Sequence, residues 1–349
     1  MNEQPLGDVF RRLIAATGPI SLTQYMAEAN ARYYTSADPL GEEGDFITAP
    51  EISQMFGELI GLWLADMWIR AGREWPVMYV ELGPGRGTLA RDALRAMKRY
   101  GLEPEVHFVE TSTPLKELQL AAVPDAQFHA DLSRVPMDGP MLLVANEFLD
   151  ALPISQLLKT EAGWRELVVV PEGEKFACAP GPRPMDAAVP EARRGLPEGT
   201  LLETCPAAAA IVYEIAGRLV HQGGAALLID YGHAEERTGS TFQAVKGHRK
   251  VDAFANPGEA DLTAHVDFHA LARVAESREA RWLGTVEQGA WLKALGIEGR
   301  AEALSEYAPQ HREALHSAMH RLVDRDQMGE LFKVMGLAAP GWPDGVGYG

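Results

Sequence analysis

Five short apolar runs, "VMYVEL", "VHFVE", "AQFHADL", "MLLVANEF" and "AALLIDYG", recur between stretches of helical periodicity. A run of that length fits a strand buried on both faces, and crossover helices are what cover a parallel strand on both sides. The alternation predicts an α/β fold with a mostly parallel sheet and helices on both faces. "LFKVMGL" reads as a last strand, and the rest of residues 262 to 335 as helix. Upstream, Ile52, Met55, Phe56, Leu59, Ile60, Trp63, Leu64, Met67 and Trp68 repeat at helical spacing over residues 48 to 70, giving one wide apolar face. That helix opens on "TAPE", where Thr48, Pro50 and Glu51 have the arrangement that satisfies free amides at a helix start. Residues 155 to about 205 break the rhythm. A hairpin-like "SQLLKTEAGWRELVVVPEG" is followed by the Pro/Gly-rich "CAPGPRPMDAAVPEARRGLPEG", which reads as a partly mobile insertion.

Charge narrows the partners. With 32 basic and 49 acidic residues the formal charge is −17, so a phosphate-tracking surface over most of the protein would work against its own field. Nucleic acid is excluded as a first reading. Cys178 and Cys205 are too few for a disulfide framework and lack metal-site spacing, which fits a reducing compartment. The first residues, "MNEQPLGDVFRRLIAATG", contain no continuous apolar segment, and no stretch reaches the roughly 18 apolar residues of a membrane span. The expectation is a cytoplasmic protein.

The stretch "VELGPGRGTLARDAL" joins a strand to a helix through a glycine-rich turn, the shared entry to nucleotide-like cofactor sites. Dinucleotide loops want glycine at the first, third and sixth positions. Here Gly83, Gly85 and Gly87 alternate, and Thr88 stands at the sixth. Glu81 points away from a dinucleotide as well. A carboxylate at the strand end would repel a pyrophosphate, whereas S-adenosyl-L-methionine carries a sulfonium and an ammonium that it stabilises. Glu110 ends the second strand, where an acid can take both hydroxyls of a ribose. Asp131 follows the third strand, at a position suited to an adenine edge or to a helix cap.

The stretches "GDFITAPEISQMFGELIGLW", "ELGPGRGTL", "NEFLDALPISQ", "LLIDYG", "AFANPGEADLTAHVDF" and "LFKVM", spanning residues 44 to 335, resemble the MidA-type methyltransferases. That family includes a mitochondrial complex I assembly factor that methylates a protein arginine. The resemblance implies a class I (Rossmann-like) S-adenosyl-L-methionine-dependent methyltransferase. It would have an N-terminal helical cap over residues 1–75 and a cofactor-binding domain over 76–349, with the insertion inside it. It also implies an arginine-containing protein as methyl acceptor. A cofactor-binding assembly factor and a small-molecule methyltransferase remain alternatives, because each keeps the same cofactor residues.

In that fold the end of the fourth strand lies beside the transferred methyl group, which makes "NEFLDALP" the stretch to read for chemistry. A guanidinium is always charged and its lone pairs are delocalised, so carboxylates that grip it in a fork can orient one nitrogen. Glu147 and Asp150 are the candidates for that grip, Asp150 serving equally well as a helix cap. Asn146 is placed to join them or to touch the cofactor. Asp230 and Tyr231 end the fifth strand, where they line an acceptor pocket or, for Asp230, cap a turn. Thr48, Pro50 and Glu51 can bring a helix start over the cofactor's carboxylate. His265, two residues before Asp267, suggests a site loop or a metal, and the metal is the weaker reading because the acids do not repeat at ligand spacing.

Overall fold

A computed structural model describes residues 4–36 and 48–349 of the chain. Residues 44–47, the start of the first family stretch, lie outside them. The central sheet contains seven principal strands, labelled β1 (Met78–Leu82), β2 (Glu105–Val109), β3 (Gln127–His129), β4 (Met141–Asn146), β5 (Gly224–His233), β6 (Arg281–Glu287) and β7 (Phe332–Ala338). Their spatial order is β6, β7, β5, β4, β1, β2, β3. The pairs among β1 to β5 are parallel and those of β7 with β5 and β6 antiparallel. Every residue of β4 is buried, as its unbroken apolar run predicts. Alternation then divides that run: Leu142 and Val144 enter one core cluster, Met141, Leu143 and Ala145 the other.

The chain moves outward from β1 through β2 to β3, then returns to place β4 on the other side of β1. This reversal opens a crevice beyond the carboxyl ends of β1 and β4, the place where open parallel sheets bind ligands.

The predicted helix over residues 48 to 70 is two pieces, Ala49–Ile52 and Gln54–Arg70, separated by Ser53 in an extended conformation. Ser53 caps the longer piece by accepting the Met55 amide. Thr48 makes no side-chain cap, so the capping box read from "TAPE" does not form. Gln54–Arg70 packs directly on the helix Thr88–Lys98. A Cβ on Gly61 would stand 2.3 Å from the Ala93 carbonyl oxygen, so glycine is what permits this approach.

Packing divides the chain differently from a cap over 1–75. Gln54–Arg70 supplies Phe56, Leu59 and Trp63 to the core of the central sheet. The helices Leu6–Thr17 and Leu22–Ser36 instead share a cluster with Val169 and Phe176 of the insertion and with Ala244 and Leu262. Apolar periodicity marks a helix as amphipathic but does not name the surface it will meet.

The insertion is a formed antiparallel sheet of Ser155–Thr160, Gly163–Glu172, Lys175–Pro184 and Leu201–Thr204, joined by Ile20–Ser21. Pro180, Pro182 and Pro184 lie in its edge strand, where a missing amide costs no ladder bond on the open side. The Pro/Gly-rich stretch read as a partly mobile insertion is thus strand up to Pro184. β6 also corrects the reading of residues 262 to 335 as helix: it is half-exposed and bulged, so it lacks a buried strand's apolar signature.

Candidate active site

Glu81 and Tyr79 are two residues apart on β1 and therefore share a face. The Tyr79 hydroxyl donates to Oε2 of Glu81 at 2.6 Å, and the carboxylate's other oxygen has no protein partner among the described residues. Burial pushes the Glu81 carboxyl up to about 7, although the Tyr79 bond favours its charged form. Gly83, Gly85 and Gly87 all adopt left-handed backbone, with φ of 61°, 55° and 79°. The turn delivers the chain into Thr88–Lys98 and leaves its backbone open to a ligand.

Opposite stands the turn after β4. Its conformation is set from β5: Oδ2 of Asp230 accepts the amides of Phe148, Leu149 and Asp150 at 3.1, 2.9 and 3.2 Å, and Oδ1 accepts the Tyr231 amide. Asp230 is thus the cap of this turn and acts on the cleft by shaping it. The result is Glu147 at φ 50°, a left-handed conformation rare for a side chain larger than glycine and frequent at functional sites. Oε1 of Glu147 accepts the Ala49 amide at 3.0 Å and Nδ2 of Asn146 at 3.2 Å, leaving Oε2 without a protein partner among the described residues. The short helix start at Thr48 to Glu51 therefore meets Glu147 through its first amide.

Burial pushes Glu147 up to about 7, with the Asp150 charge adding to it, and pushes Asp150 up to about 6. Asp230 stands well above the carboxylate range, through burial first and then the charges of Asp150 and Glu147. The buried Asp150 and Asp230 and the half-buried Glu147 therefore converge, and among the described residues the cation acting on Glu147 is Arg321, exposed on the helix Arg312–Val323. The neighbouring Tyr231 hydroxyl opposes the rise at Asp150, and its ring packs edge-on against His265 and Phe332.

Between β1 and β4 lies a cleft of about 440 Å³ lined by Thr48, Pro50, Glu51, Glu81, Gly83, Gly85, Asn146 and Glu147, together with Pro84, Arg86, Thr88 and Leu89. The other sequence candidates fall around it. Glu110 accepts the amides of Thr111 and Ser112, both at 2.7 Å, and Nε2 of Gln119, which also donates to the Gly85 carbonyl. It braces the glycine turn from beside the cleft. Asp131 is exposed at the start of a single turn over Leu132–Arg134 and does not line the cleft. Asp150, Asp230 and Tyr231 lie behind the Glu147 turn, outside the cleft lining. His265, held down to about 4 by burial, lines a separate cavity with Cys205, and Asp267 caps the helix Phe268–Ser277. Tyr79 escaped sequence reading although strand alternation from Glu81 points to it. Arg321 carried no signal, because 174 positions separate it from Glu147.

The cleft suits S-adenosyl-L-methionine. Among the described residues, one carboxylate oxygen each of Glu81 and Glu147 and the buried Oδ1 of Asn146 are acceptors without a protein partner, and they match a ligand that brings amine donors and positive charge. A Cβ at Gly83 would come within 2.7 Å of the Phe148 ring, so the two walls are packed against each other there. Gly83→Ala is expected to push Phe148, and with it the Glu147 turn, out of place. Calorimetry should show donor affinity at least about tenfold weaker in a folded variant, a displacement worth over about 1.4 kcal/mol. Wild-type affinity would show that the turn tolerates the shift.

Sheet order, a glycine turn at the switch point and an acid-lined cleft define a class I methyltransferase. The chain belongs to the family of S-adenosyl-L-methionine-dependent methyltransferases whose model matches residues 59–286. It is 37% identical over 364 residues to the mitochondrial protein arginine methyltransferase NDUFAF7 of Mus musculus, covering 93% of this chain and 82% of that protein. The Homo sapiens protein of the same name is 36% identical over 380 residues, covering 96% and 84%. A superfamily member from Burkholderia thailandensis, solved with S-adenosyl-homocysteine bound, superposes with a TM-score of 0.83 at 28% identity, covering 98% of this chain and 94% of that one. The cofactor is S-adenosyl-L-methionine. The relatives correct one expectation: they are named as mitochondrial, which overturns the cytoplasmic reading. Two unpaired cysteines report a reducing environment without saying which compartment provides it. Among the described residues, no helix is long and apolar enough to cross a membrane.

Proposed function

We infer that this enzyme methylates an arginine guanidinium of a protein partner. The supporting observation is the convergence of the half-buried Glu147 with the buried Asp150 and Asp230, all three raised by desolvation, with one unpartnered oxygen of Glu147 exposed to the cofactor cleft. Such a site is short of positive charge, and a guanidinium supplies both charge and donors. The relatives named as protein arginine methyltransferases act on the same chemical group.

The bound donor supplies an electrophilic methyl carbon. Glu147 grips the acceptor through Oε2 and orients one nitrogen, while Asn146 offers Oδ1 beside it. Methylation of a guanidinium releases one proton, and a carboxylate whose free-state value is about 7 is suited to receive it at Oε2. Asp230 acts through others, by holding the turn.

Isotope-labelled donor and the purified protein, added to a lysate of cells lacking it, should label a protein band whose digest contains methylated arginine. Partners in respiratory complex assembly, which the family resemblance implies, are the first fraction to resolve. Label confined to small molecules, or to another amino acid, would overturn the arginine reading.

A further inference from the structure

Two grooves continue the cofactor cleft outward along the helix Thr88–Lys98. The first, about 850 Å³, shares Pro50, Glu51 and Thr88 with the cleft and adds Arg91. The second, about 820 Å³, shares Gln54 with the first and is lined by Arg95, Arg99 and Arg300. Their outer wall is built from the helices Ile297–Tyr307 and Arg312–Val323. Arg91, Arg95 and Arg99 follow at intervals of four, so one helix face lays them in a row leading away from Thr88.

In a chain of net charge −17 this row is locally positive. Arg95 and Arg300 hold the buried Glu58, and Arg91 and Arg95 hold the buried Asp92, so three guanidinium groups face these two carboxylates, with Glu51 beside Arg91 at the inner end. Arg99 has no ion-pair or hydrogen-bond partner through its side chain among the described residues. Tyr307, 90% exposed, stands at the same outer end.

We propose that the grooves seat an extended segment of the methyl acceptor, with acidic residues of that segment docking on the Arg95, Arg99 and Arg300 surface while its arginine enters the cofactor cleft. The inference rests on the arginine-acceptor reading above. From Thr88 to Arg99 is eleven residues of helical rise, about 16 Å, which an extended peptide covers in about five residues. The acidic run therefore begins about five positions from the methylated arginine. The recognised partner carries both charges at a set spacing: a cation for the acid-lined cleft and anions for the arginine row.

The test uses the full chain saturated with S-adenosyl-homocysteine and fluorescein-labelled synthetic peptides. Each holds one arginine in a Gly/Ser background, with four glutamates, or four glutamines, beginning five positions away on either side. The glutamate peptide in one of the two orientations should bind about tenfold more tightly, the sum of a few partly exposed ion pairs. The gap should shrink as salt is raised from about 50 to about 500 mM. Arg99→Glu should erase most of it, while Arg249→Glu, on the distant strand Arg249–Val251, leaves it intact. Equal affinity for both peptides in both orientations, or a gap indifferent to Arg99→Glu, would overturn the proposal. So would equally tight, Arg99-dependent binding of a DNA oligonucleotide of the same charge, which would mark a general polyanion surface. Methyl transfer, assayed separately with the donor, keeps the two readings apart. Transfer without an affinity gap removes the groove alone, and a gap without transfer to any arginine peptide removes the acceptor reading alone.

Discussion

Glu147→Gln is expected to lower single-turnover methyl transfer by about 100-fold or more while donor affinity stays within about threefold of wild type, the scale for losing a charged positioning contact. The amide preserves the side chain's shape, and its oxygen can still accept the Ala49 amide and Asn146 Nδ2, so the turn should stand. What disappears is the charge that grips a guanidinium and the oxygen that takes its proton. Asp150→Asn should cost less, under about tenfold, because its carboxylate does not line the cleft. The measurements are calorimetry for the donor and rapid-quench transfer with the acceptor found by labelling. Transfer at the wild-type rate by Glu147→Gln, or abolished donor binding in it, would remove Glu147 from the acceptor side of the mechanism.

Donor affinity is expected to rise with pH between about 6 and 8, by up to about tenfold per unit on the acid side for each proton released. The sign follows from the free protein, where burial holds Glu81 at about 7, so below that pH its carboxyl is largely protonated. A cationic ligand stabilises the ionised form and lowers that value, so binding must expel the proton. Affinity is therefore weakest at low pH and levels off once Glu81 is already ionised. Glu81→Gln should flatten the profile and weaken binding by about 1.5 to 3 kcal/mol, the value of a hydrogen bond to a charged group. Calorimetry in buffers of different ionisation enthalpy would count the proton directly. An affinity independent of pH in the wild-type protein would mean that Glu81 does not face the donor's positive charge.

The strands β1, β2, β4 and β5 and the glycine turn were legible because a strand buried between neighbours needs an unbroken apolar run, and a turn that exposes backbone needs glycine. Both demands are local and are written in adjacent residues. The cofactor cleft was legible in part for the same reason: Glu81, Gly83 and Gly85 follow one strand, Asn146 and Glu147 another, and strand ends meet at a switch point. β6 was not legible, because a half-exposed strand paired on one side has no such run. Nor could composition distinguish one reducing compartment from another.

Tertiary structure alone decided how the acids divide their work. Asp150, Asp230 and Glu147 look alike in sequence, each an acid near a strand end. Only the folded sheet shows Asp230 accepting three amides of the neighbouring turn, Asp150 buried behind Tyr231, and Glu147 twisted into a left-handed conformation with one oxygen free in the cleft. The residues that impose these roles lie 80 and more positions apart along the chain, where periodicity carries no information. A carboxylate's proton affinity and its partners depend on what surrounds it in space, and that is settled only when β4 and β5 lie side by side.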